Sequence, residues 1–143
     1  MVRFLASPDV FVVLLLLIGL YAIVFGGSPE RIVGSVYYVA TFLSVELTSR
    51  LAHRFSFMEA GIFVVDVMLL ACLFALMLKA NRFWIIWICS MQTITVLSHL
   101  PMLFVPDLIP LAYRAVITIW GYPMLALLAV ATWRHRDRLR RYG

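Results

Sequence analysis

Charge is what this sequence of 143 residues has least of: Asp, Glu, Lys and Arg together make up 13%. A soluble domain carries roughly a quarter. The chain has too few charged stretches to form a water-soluble domain beside its apolar segments, so it reads as a single domain, 1–143. Cysteine is nearly absent as well. Cys72 and Cys89 each fall inside an apolar run, with no spacing that suits a metal site or a redox pair, and read as small buried hydrophobes. No G-x-S-x-G, no H-E-x-x-H and no phosphate-binding loop occurs, which removes the common hydrolase, metalloprotease and nucleotide-binding readings. No catalytic residue is assigned, the chain leans away from being an enzyme, and neither an internal repeat nor a low-complexity segment is present.

What is there is hydrocarbon. Hydrophobic residues make up 64% of the chain, and the mean hydropathy is +1.01. The stretch from Ala60 to Leu78, AGIFVVDVMLLACLFALML, is long enough to cross a bilayer and is interrupted by one acid, Asp66. Around it the sequence predicts an all-α membrane protein, a bundle of five transmembrane helices at about 8–26, 29–53, 57–79, 83–101 and 108–134. Ser7-Pro8 and Ser28-Pro29-Glu30 are helix starts, with a capping residue, proline at the first position and an acid near the positive end of the dipole. Ser56 and Glu59 form a capping box before the third helix. Pro101 ends or bends the fourth. Gly121 and Pro123, near the middle of the fifth, predict a kink or hinge.

Five spans put the termini on opposite sides. With the C-terminus inside, eight basic residues are cytoplasmic: Arg31, Lys79, Arg82, Arg134, Arg136, Arg138, Arg140 and Arg141. The other four, Arg3, Arg50, Arg54 and Arg114, are outside. The positive-inside rule therefore favours N-out, C-in. The basic tail at 134–143 follows an apolar helix directly. Its arginines at 134, 136, 138, 140 and 141 read as ligands for anionic lipid headgroups rather than for nucleic acid.

This orientation makes depth comparable between helices at about 1.5 Å per residue. Glu46, Asp66, His99 and Arg114, on four different helices, then fall in the outer half of the membrane. Gln92, Thr95 and His99 recur at spacings of three and four, so one side of the fourth helix is polar. A charge near the bilayer centre costs at least about 2.5 to 3.5 kcal/mol. Opposite charges about 4 Å apart recover about 4 kcal/mol at an effective dielectric of about 20. The expectation is that Asp66 or Glu46 contacts Arg114 and that His99 shares a proton with the cluster.

That cluster of Glu46, Asp66, Gln92, Thr95, His99 and Arg114 has several readings. The plainest is a structural ion pair that fixes helix packing. A binding or translocation site for a small polar solute, ion or proton is the main competitor, because polar helix faces and a broken helix suit alternating access. His53 and His99 are a possible pair of axial ligands for a b-type haem. Otherwise no cofactor is expected. No metal site is assigned, since no close pairing such as HxxxH supports one.

The pieces Asp66, Lys79 to Trp87, Gln92 to His99 and Trp120 to Pro123 cover about half the chain. In them an acid in an apolar helix is followed by a basic turn, a tryptophan-rich helix start and a Q-x-x-T-V-x-S-H stretch. In this the sequence resembles small uncharacterised bacterial polytopic inner-membrane proteins. It departs from them at Ile85, where those often carry proline. The resemblance implies a bacterial inner membrane and brings no activity with it. The expected role is that of a small accessory or interaction protein, with membrane lipids and a protein partner or a second copy of itself as its contacts.

Overall fold

A computed structural model of the chain describes residues 8–51, 55–101 and 110–143, and the side chains of 9–50, 60–101 and 119–143. Among the described residues five long helices follow one another: α1 (Pro8–Phe25), α2 (Ser28–Leu51), α3 (Phe55–Lys79), α4 (Phe83–Ser98) and α5 (Pro110–Tyr142). No strand occurs among the described residues. Each helix packs on the next, α5 returns to α1, and α2 also touches α5, so the bundle closes into a ring.

The ring is filled with aliphatic side chains. Ala22, Val33, Leu73, Ile85, Ile88 and Leu128 are fully buried in one cluster. The outside is as apolar as the inside: Leu17, Phe42, Met68, Phe74, Leu78 and Trp87 are among many exposed large hydrophobics. Burying one such side chain is worth about 1.5 to 3 kcal/mol in water, so this surface suits a hydrocarbon solvent. By length and composition two helices, Ser28–Arg50 and Ala60–Lys79, are able to cross a membrane, while Asp9–Phe25 and Phe83–Ser98 are shorter apolar helices. Only 17% of either of the two longer windows is buried, whereas the core helix of a soluble protein is mostly buried.

The turns follow from local chemistry, with some differences from expectation. Between α1 and α2 the Gly27 carbonyl accepts from the Arg31 amide at 3.0 Å. Gly27 therefore caps α2, one residue before the expected Ser28. Between α3 and α4, Asn81 takes a left-handed φ of 36°, a conformation asparagine tolerates better than most residues. α4 stops at Ser98, short of the expected 101, with His99 as its C-cap. The expected ends at 53 and 108 and the caps at Ser7, Ser56 and Glu59 lie outside the described residues or side chains.

α5 departs most from expectation. It is one helix through Pro123, as expected, but continues through the basic tail to Tyr142 and does not end at 134. Arginine and leucine are good helix formers, and Asp137 meets Arg141 at 2.9 Å across one turn. Gly121, expected as a hinge, has a packing reason. A Cβ there would lie 2.5 Å from Phe11 Cε2, and the Phe11 ring meets Tyr122 edge-on with centroids 5.5 Å apart. Glycine at 121 lets α1 press its aromatic ring against α5.

Candidate functional site

α3 and α4 run side by side, and their apolar faces set the register in which polar groups meet. Val65, Leu69 and Leu73 on α3 are buried, as are Ile85, Ile88 and Cys89 on α4. The same face of α4 continues as Gln92, Thr95 and His99, all buried. Asp66 is placed opposite them.

The Asp66 carboxylate is bonded at both oxygens. Oδ2 lies 2.9 Å from His99 Nε2, and Oδ1 accepts from Gln92 Nε2 at 3.1 Å. Gln92 Nε2 also reaches the Asp66 backbone carbonyl at 3.3 Å. His99 is 3% exposed and Gln92 1%, while the Asp66 side chain keeps 17%. The Phe63 ring stands edge-on to His99 with centroids 5.7 Å apart and covers the imidazole from α3. One acid on α3 thus holds two side chains of α4 that lie seven residues apart, which fixes both rotation and register. The Asp66–His99 contact can carry its proton on either partner.

Thr95 lies between Gln92 and His99 but spends its hydroxyl on its own helix, donating to the Met91 carbonyl at 3.2 Å. Glu46 goes elsewhere. It meets Arg50 Nε at 2.6 Å, one turn along α2, with both side chains substantially exposed. An arginine four residues on needs no second helix to reach Glu46, and the expected contact with Arg114 falls outside the described side chains. The side chain of Arg114 lies outside the described residues, and so does His53. His99 Nε2 is taken up by Asp66, so service as an axial haem ligand through that nitrogen would require breaking this bond. Among the described residues no group of three His, Cys, Asp or Glu is close enough to hold a metal. Both cysteines are free, Cys72 exposed and Cys89 buried.

Two recesses open on the flanks of the bundle. One, of about 370 Å³, lies between α4 and α5 and is lined by Trp87, Met91, Pro123 and Leu127 among others. The second, of about 360 Å³, lies between α1 and α2 and includes Leu16, Tyr38 and Phe42. Both are lined almost wholly by apolar atoms. The Tyr38 hydroxyl donates to the Leu16 carbonyl, which ties α2 to α1.

Sequence reasoning missed a further carboxylate. Glu30, in the first turn of α2, is 1% exposed. Its position in the first turn of a helix was legible; its burial was not. Comparison with family models, with curated proteins and with solved structures finds no match for this chain. A functional reading therefore rests on its own residues.

Proposed function

We propose that this chain is a small integral-membrane accessory or interaction protein, spanning a bacterial inner membrane five times with its C-terminus inside. The observation that carries this reading is the closed bonding of Asp66, with both oxygens spent on Gln92 and His99. A half-buried acid bonded at each oxygen to the neighbouring helix does the work of a lock. Partner contact falls to the apolar outer surface and its two flank recesses. The arginines of the helical tail at 134, 136, 138, 140 and 141 meet anionic headgroups, each worth about 1 kcal/mol near such a surface. The test is a double-mutant cycle of Asp66→Leu and His99→Leu, read as resistance to unfolding when SDS is titrated into detergent micelles. A lock requires the double variant to lose less than the two single losses added together. Strictly additive losses would sink it.

A second reading, transfer of a proton or small ion through the same group, is favoured by one feature. Asp66 and His99 form a pair able to exchange a proton, and the Asp66 side chain remains 17% exposed. It requires that Asp66→Asn abolish dye-detected proton flux in proteoliposomes while the variant stays folded. Equal flux in empty vesicles and in vesicles holding the wild-type protein would remove it.

A further inference from the structure

At the opposite, basic end of the bundle Glu30 poses a separate problem. Neither of its carboxylate oxygens has a hydrogen-bond partner among the described residues. A glutamate at the third helical position commonly bonds back to the cap amide, but that bond is not made here. Desolvating a polar group without a partner is costly, and more so for a charge. A positively charged partner would offset that cost.

His135 of α5 is placed to supply it. A Cβ built on Gly27 would lie 3.0 Å from Glu30 Oε2, 2.8 Å from His135 Cε1 and 3.2 Å from His135 Nδ1. The carboxylate and the imidazole therefore flank one small gap, and glycine at 27 keeps it open. The other charges at this end come from every neighbouring element except α1, which has no basic residue in its last turn. Arg31 of α2 donates through Nε to the Gly26 carbonyl at 2.9 Å. Arg136 of α5 lies over the Phe25 ring, 4.6 Å from its centroid. Lys79 and Arg82 bound the α3–α4 turn, and Arg134, Arg138 and Arg140 complete the basic run on α5. Asp137, the other acid there, is paired with Arg141. A surround this basic opposes a doubly charged metal ion more strongly than a singly charged proton, which makes the proton the fitting ligand.

We propose that Glu30 and His135 form a proton-binding pair across Gly27, and that a proton taken up from the cytoplasm fastens the basic end of α5 to the α1–α2 turn. The proton binds at His135 Nδ1, which then donates to Glu30 Oε2. When it leaves, the bond is lost and the end of α5 loosens. This site stands apart from the Asp66 lock and does not depend on its role.

The experiment attaches a nitroxide to Leu139→Cys, an exposed position one turn beyond His135, in a full-length chain with Cys72 and Cys89 replaced by alanine. The label's mobility is read in vesicles of a zwitterionic lipid, so that headgroup binding does not intervene. Mobility is expected to fall roughly twofold between about pH 8 and pH 5.5, the interval over which protons become available to an imidazole. Glu30→Gln and His135→Gln, each close in shape to the residue replaced, should both abolish the change while helix content by circular dichroism is retained. Gly27→Ala, which fills the gap, should abolish it too. A wild-type label indifferent to pH, or a response that survives in both Gln variants, would overturn the proposal. So would ordering at pH 8 that appears only on adding Zn²⁺, which would make the ligand a metal.

Discussion

Asp66 and Glu30 are both carboxylates sunk into helices with an imidazole beside them, and the fold provides for them in opposite ways. Asp66 sits in the interior of α3, where every backbone amide is already used by the helix. Its partners must come from elsewhere, and α4 brings two of them. Glu30 sits in the first turn of α2, where free amides and the positive end of the dipole favour an acid without any single bond. A carboxylate in mid-helix therefore needs bonds from another helix, whereas one in the first turn is tolerated without them. The first kind builds packing and the second is left open to exchange.

That contrast fails if the two acids respond alike to removal. The largest effect is expected for Asp66→Leu, which removes the carboxylate that Gln92 and His99 share. A loss of about 2 to 4 kcal/mol follows from two hydrogen bonds to a charged group lost together, measured as the shift in SDS-induced unfolding. Gln92→Leu should cost less, about 1 kcal/mol, because it leaves one carboxylate oxygen unbonded while His99 still holds the other. Should Gln92→Leu cost as much as Asp66→Leu, the glutamine and not the imidazole would be the tie between α3 and α4.

Glu30→Leu is expected to behave differently. At pH 8 it removes an orphaned carboxylate and its burial cost while forfeiting about 0.3 to 1 kcal/mol of dipole interaction. The same unfolding assay should place it within about 1 kcal/mol of the wild type, on the stable side. A loss as large as that of Asp66→Leu would mean that Glu30 has a structural partner and that the two acids are kept in the same way.

How much of this was legible in the sequence follows the same division. The helices were, because apolar runs and their prolines and glycines report length directly. That Asp66 shares a depth with Gln92 and His99 was legible from rise per residue. That its two oxygens meet His99 and Gln92 was not, because rise gives depth and says nothing about rotation. Glu46 takes Arg50, one turn on, as its partner, and that spacing of four was present in the sequence. Nothing in the run RHRDRLRR sets His135 apart from its charged neighbours. It takes the continuation of α5 as a helix past 134 to carry the imidazole back over Gly27, and nothing in local composition announces that return.

Glu46 supplies the smallest expected effect and the cleanest control on the comparison. Its pair with Arg50 is 42% exposed on the acid and 74% on the base. An exposed pair one helical turn apart contributes less than about 0.5 kcal/mol, so Glu46→Gln should leave unfolding nearly unchanged. What little it costs should shrink further in high salt, because exposed charges are screened. Asp66→Asn should keep its cost under the same salt, since its bonds lie inside the bundle. A loss above about 2 kcal/mol for Glu46→Gln, insensitive to salt, is the size expected of a buried group. It would place Glu46 beside Asp66 inside the bundle, and one shared charged centre would replace three carboxylates kept in three separate ways.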